Sequence, residues 1–151
     1  MDLFINWLTD VYMEVLGGEF TPDNLKELTP WQHTLLAYRI FRDEGMEGGF
    51  CQLIQNGYGP YIFDNPFAKA MRLWGLTDLS KLIYAARKVY IAHREDLERE
   101  RTEEEFMAMY EQYEAFDKLE EEYLENEEEM TTAIAAYVDE HLEMFVEVVK
   151  D

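Results

Sequence analysis

The chain has 151 residues, a single cysteine and a formal net charge of −20 at pH 7, with 48% hydrophobic and 15% aromatic residues. That is the size of one domain with enough apolar side chains for a core, which excludes intrinsic disorder, and one cysteine excludes an intrachain disulfide and fits a cytoplasmic protein. The charge excludes direct nucleic-acid binding and anionic membranes. The acidic start and the absence of a long apolar run argue against a secretion signal or a membrane span.

In chain order, Asp2 to Leu16 reads as a helix, with Phe4, Leu8, Val11, Tyr12 and Val15 at helical spacing and Gly17-Gly18 ending it. Thr21-Pro22 opens a short helix to Leu28, with proline at the first helical position. Thr29 and Gln32 form a capping box for a helix to about Glu44, stopped at Gly45. Phe50 to Asn56 is a short segment closed by Gly57, and Gly57 to Phe63 is predicted to be an aromatic loop whose Tyr58, Tyr61 and Phe63 go to the core. Asp64-Asn65-Pro66 starts a helix that buries Phe67, Ala70, Met71 and Trp74. Thr77 caps the next, striped by Leu79, Leu82, Ile83, Ala86, Val89 and Tyr90. The charge run Arg94 to Arg101 is the one candidate hinge. Thr102 and Glu105 make a second capping box, and Asn126 resembles a cap for a last helix burying Met130, Ile134, Tyr137, Val138 and Phe145. The expected fold is all-α: a single compact domain over residues 1–151, with about seven or eight helices and no sheet.

Charge divides this domain unevenly. Met1 to Arg94 holds 11 acidic and nine basic residues, net −2, whereas Glu95 to Asp151 holds 22 acidic and four basic, net −18. Taken as one continuous helix, Glu103 to Glu125 puts Phe106, Met109, Tyr110, Tyr113, Phe116, Tyr123 and Leu124 on one arc. Glu103, Glu104, Glu111, Glu114, Glu121, Glu122 and Glu125 fall on a neighbouring arc roughly 100° wide and about 33 Å long. A break near Phe116 is the weak point of that reading, because Asp117 projects close to the apolar arc. The last helix adds Glu129, Asp139, Glu140, Glu143 and Glu147. An ordinary solvated face mixes lysine with glutamate because opposite-sign pairs stabilise a helix, and Lys118 is the only cation from Glu103 to Glu125. Glutamates three and four apart instead repel. Such a row is comparable in order to the phosphates along a DNA strand, though sparser.

Catalytic and metal patterns are not assembled. His33, His93 and His141 lie far apart and share no metal-ligand spacing, and no calcium-loop pattern occurs, so no metal and no cofactor is expected. Cys51 has no local activating partner and is expected to be a buried thiol. Gly48-Gly49 lacks the Gly-Lys-Ser/Thr ending of a phosphate loop.

One stretch carries more than composition. Glu44, Gly48, Gly49, Phe50, Gln52, Asn56 and Gly59 match, in order and spacing, the signature of a bacterial family named for a nineteen-kilodalton DNA-mimic protein. Met46 and Glu47 depart from the asparagines usual there, and Leu53 replaces a common aromatic. The segments Ala70 to Gly75, Phe116 to Tyr123 and Tyr137 to Phe145 are also similar, so the resemblance runs from about Trp31 to Phe145. It implies an all-helical fold and an acidic protein that presents carboxylates, in place of DNA phosphates, to a basic DNA-binding protein such as a transcription regulator. The signature itself reads as structural: paired glycines permit close backbone approach, and Gln52 and Asn56, one turn apart, are placed to bond neighbouring loop backbone.

The partner-binding set expected on this reading is Glu103, Glu104, Glu111, Glu114, Glu121, Glu122, Glu125, Glu129, Glu140 and Glu143. Three alternatives stay open, the plainest being a helical scaffold with a merely solvated acidic face. Another is an immunity-type inhibitor of a basic nuclease or toxin. The third is an enzyme with a polar pocket near Gly48-Gly49 that contains Glu44, Gln52 and Asn56. The sequence leaves a homodimer open.

Overall fold

The computed structural model describes residues 3–146; Met1, Asp2 and the stretch holding Glu147 lie outside the described residues. Among the described residues the secondary structure is entirely helical. There are 11 helices rather than seven or eight: α1 (Leu3–Leu16), α2 (Pro22–Leu25), α3 (Pro30–Glu47), α4 (Gly49–Gln55), α5 (Gly59–Phe63), α6 (Phe67–Leu73), α7 (Thr77–Ala92), α8 (Arg94–Glu98), α9 (Glu103–Gln112), α10 (Ala115–Glu140) and α11 (Leu142–Val146). No helix is long and apolar enough to cross a membrane.

The surplus over the expected count comes from short pieces. The aromatic segment is not a loop: Gly59-Pro60 starts α5, which buries Tyr61 and Phe63 and leaves Tyr58 half-buried. The charge run forms α8, because Leu97 at its centre is fully buried and Gln55 donates from Nε2 to the Leu97 carbonyl at 2.6 Å. Glu103 to Glu125 is not one helix. It breaks at Tyr113-Glu114 into α9 and α10, three residues before Phe116. Asn126 is not a cap either. It lies inside α10 and bonds the Glu122 carbonyl at 2.8 Å. Gly45 does not stop α3, and Thr77 is the first residue of α7 rather than its cap.

Both capping boxes form. Thr29 and Gln32 exchange bonds of 2.9 and 3.2 Å, and Thr102 and Glu105 exchange bonds of 3.0 and 3.2 Å. Each satisfies two otherwise orphan amides at a helix start.

The chain divides into two compact units. One comprises the residues up to Arg39 and those from Glu128 onward, and the other is Ile40–Glu127. In the first, Ile5, Leu8, Tyr12, Leu16, Leu35, Leu36, Ile134, Val138 and Phe145 are buried. Tyr12 donates its hydroxyl to the Phe145 carbonyl, which also accepts from Gln32 Nε2 at 3.3 Å. Tyr38 and Thr131 share a hydroxyl bond of 2.6 Å, so the buried polar groups of this unit are partnered. The second unit is organised by aromatic rings. Phe41 meets Tyr123 edge-on at 5.0 Å, Phe50 meets Phe116 at 5.1 Å, and Phe63 meets Tyr90 at 4.9 Å. Tilted and edge contacts of this kind add to the apolar burial of each ring.

Candidate functional site

All ten glutamates proposed from the sequence are exposed: Glu103, Glu104 and Glu111 on α9, Glu114 in the break, Glu121, Glu122, Glu125, Glu129 and Glu140 on α10, and Glu143 on α11. None of the ten takes part in an ion pair among the described residues. The carboxylates that do are elsewhere, among them Glu105 with Arg99 at 3.2 Å, Asp96 with Arg99 and Arg101, and Glu127 with Arg42 at 2.8 Å. The ten therefore face water without a cation paired to them among the described residues.

Within each helix the acidic positions share a side. On α9, Glu104 and Glu111 project within about 20° of each other, away from buried Met109. In the part of α10 that belongs to the second unit, Asp117, Glu121 and Glu125 recur every fourth residue along one strip, opposite buried Phe116 and Tyr123. The interruption at Tyr113 coincides with a contact made far along the chain. Its backbone leaves helical geometry, with φ −116° and ψ 51°, and its hydroxyl donates to Asp96. That bond, with Arg99 and Arg101 beside it, lowers the Asp96 carboxyl to about 2. Phe106, Tyr110 and Tyr113 are half-buried rather than core, and Leu124, expected on the apolar arc, is exposed.

The signature residues form a small, closed polar structure of their own. Gln52 Nε2 donates to Glu44 Oε2 at 2.6 Å, and Asn56 Nδ2 donates to both Glu44 oxygens at 3.1 Å. Gln52 and Asn56 thus bond a carboxylate on α3, not loop backbone as expected. The glycines are required by what lies against them. A Cβ on Gly48 would stand 2.0 Å from Gln52 Oε1. Gly49 has φ +77°, and its Cβ would stand 2.1 Å from Glu120 Oε2. A Cβ on Gly59 would meet the Tyr90 ring at 2.8 Å. Two further residues hold this turn. Glu120 accepts the Phe50 amide at 2.7 Å, and Tyr110 donates to the Gly48 carbonyl at 2.9 Å.

Glu120 was not singled out from the sequence, and Tyr110 was placed only on the apolar arc, with no role at this turn. Glu120 hides in the run Glu120-Glu121-Glu122. The available signal was its angle, since one turn after Phe116 it falls on the buried side of α10. Burial raises its carboxyl above the ordinary carboxylate value, against the lowering effect of the Phe50 amide. Cys51 is buried as expected, and desolvation pushes its thiol up to about 12.

An open groove of about 430 Å³ adjoins the signature, lined by Glu47, Gln52, Gln55, Asn56, Arg101, Thr102, Glu103 and Phe106. Glu44 is not among the residues that line it. Among the described residues no three metal-ligating side chains come together.

With the clasp of Glu44, Gln52 and Asn56 in view, comparison with known proteins is decisive. A family model described as DMP19-like protein matches residues 26–141. The chain belongs to the DMP19-like family. One relative, the DNA mimic protein DMP19 of Neisseria meningitidis serogroup B (strain ATCC BAA-335 / MC58), is 40% identical over 76 residues. That match takes in 50% of this chain and 46% of the relative, so it spans about half of the relative's length. In this DMP19-like chain the signature residues Glu44, Gln52 and Asn56 bond one another, and the ten exposed glutamates lie on other elements.

Proposed function

We propose that this DMP19-like protein is itself a DNA mimic, an acidic decoy that occupies the Lys and Arg side chains with which a DNA-binding protein, such as a transcription regulator, contacts phosphates. The observation that carries the reading is the set of ten exposed glutamates, none of them in an ion pair among the described residues. Carboxylates left unneutralised are available to a partner's cations, and each that is contacted replaces a phosphate contact. Family membership and the name of the Neisseria relative support the same reading. A cytoplasmic protein is the consistent setting.

The test is competition. Basic DNA-binding proteins captured from native lysate at low salt are loaded with labelled DNA, and the protein is titrated in. Wild type should displace the DNA, with potency falling as salt rises because screening shortens the reach of exposed charge to about 8 Å at physiological ionic strength. Replacing Glu111, Glu114, Glu121 and Glu122 with Gln should leave the fold intact and weaken displacement. Equal displacement by both proteins would remove these helices from the mechanism.

A further inference from the structure

The strongest unexplained surface is basic. From Phe67 to Ala92, the span of α6 and α7, there are five cations (Lys69, Arg72, Lys81, Arg87 and Lys88) and one acid, Asp78. A net +4 segment in a chain of net −20 is a local inversion of charge. None of the five cations forms an ion pair among the described residues; Arg87 instead bonds the Phe63 carbonyl at 2.9 Å.

The cations are interleaved with exposed apolar side chains. Lys81, Tyr84, Lys88 and Ile91 follow one another at spacings of three, four and three, which places them in a single row along the outer side of α7, about 15 Å long. Tyr84 is 43% exposed and Ile91 48%. The inner side of α7 is already used, by Leu79, Leu82, Ile83, Ala86 and Tyr90. Two depressions flank the row and share Tyr84 and Arg87. One of about 580 Å³ reaches Ile91, and one of about 350 Å³ runs toward Pro66 and Lys69.

We infer that the outer face of α7 docks an acidic amphipathic helix of a partner protein. Tyr84 and Ile91, seven residues or about two turns apart, stand on one side of α7 in the same row as Lys81 and Lys88, so a helix laid along this row meets apolar and cationic side chains in alternation. Tyr84 and Ile91 supply the apolar seam. Lys81 and Lys88 require carboxylates opposite, with Arg87 at the edge. DNA does not fit, because it has no apolar side chains for Tyr84 and Ile91. At physiological ionic strength the distant negative charge is screened and the local cations govern an approaching helix. The inference does not depend on the acidic face being a DNA mimic.

The probe is a labelled synthetic helical peptide of about 18 residues, long enough to cover the row, with leucines at 3-4 spacing flanked by glutamates. Binding is read by fluorescence anisotropy at about 0.15 M salt. Wild type should bind it and should ignore a scrambled peptide of the same composition. The Lys81→Glu/Lys88→Glu variant and the Tyr84→Ala variant should each bind at least about tenfold more weakly, as expected for central anchors. All three side chains are exposed, so circular dichroism should show an unchanged fold, and Lys81→Arg/Lys88→Arg should restore binding. The quadruple glutamate-to-glutamine variant of the acidic helices should bind the peptide like wild type, which separates this surface from the acidic one. Equal binding of the scrambled peptide, no binding up to about 1 mM, or variants indistinguishable from wild type would overturn the proposal. So would sedimentation showing self-association that the lysine reversals abolish, since the occupant would then be a second copy.

Discussion

Glu120 shows how much one side chain can do inside a run of identical neighbours. It accepts the Phe50 amide and lies where a Cβ on Gly49 would go. Gly49→Ala should therefore cost roughly 2–4 kcal/mol in urea unfolding, combining a left-handed backbone with loss of the Phe50 bond. A raised carboxyl means that the folded state holds its proton more tightly than the unfolded chain does, so stability falls as pH rises through the folded value. Glu120→Gln keeps an oxygen for Phe50 and should flatten that fall, measured as the urea midpoint across the weakly acidic to neutral range. Asp96 runs the other way. Its folded value of about 2 lies below the ordinary 3.8, chiefly because the Tyr113 hydroxyl donates to it. Its contribution is complete above the ordinary value and is lost as pH falls toward 2. Asp96→Asn should thus destabilise the protein at neutral pH, and the difference from wild type should vanish near pH 2. At this scale the sequence was only partly legible. The signature glycines were visible as glycines, but the Gln52 side chain beside Gly48 and the carboxylate beside Gly49 were not, because Glu120 comes from 71 residues away in the chain.

Among the elements, α10 carries the clearest tension. Asp117, Glu121 and Glu125 stand at successive i, i+4 places, and Glu122 stands three before Glu125. Each such pair costs about 0.2–0.5 kcal/mol at low salt. Replacing Glu111, Glu114, Glu121 and Glu122 with Gln should raise the melting temperature slightly. Added salt should raise the wild-type midpoint more than that of the variant, as calorimetry would show. Long elements with strong periodicity were legible in extent: α7 lies where its apolar stripe places it, and α1 spans the expected residues, although its buried side is turned to Ile5 and Leu16 and leaves Phe4 of the expected stripe exposed. The α9–α10 break was foreshadowed only as a weak point. Periodicity speaks for a helix through Tyr113, and what overrides it is a hydrogen bond to Asp96, 17 residues earlier, which no local pattern encodes. Short α5 and α8 escaped for the same reason, since five residues give no period to read.

For the molecule as a whole, charge was the most legible property, and its sign along the chain survives folding as exposed surface. What the totals concealed was the inversion over α6 and α7, averaged away in a near-neutral first 94 residues, and what needed the structure was the exposure of Tyr84 and Ile91 beside its cations. A protein with one strongly negative region and one positive, apolar row differs from DNA in a way that allows choice among basic partners, which charge alone does not. Lys81→Glu/Lys88→Glu should accordingly leave displacement of DNA from a basic protein unchanged where that protein carries no acidic helix, and weaken it where one is present, measured in parallel competition assays.

The lone cysteine has one further use. Cys51 is sealed in the second unit, and its thiol, pushed up to about 12, is almost wholly protonated in the folded protein at neutral pH. Thiolate is the reactive form, so alkylation by a maleimide reports only those moments when α4 detaches and the sulfur meets water. Because the chain has no second thiol, the labelling rate is a single-site clock for opening beside the Gly48-Gly49 turn. A basic partner that holds this region shut should slow the clock, and one that pries it apart should speed it, with no dye or engineered residue placed on the binding face.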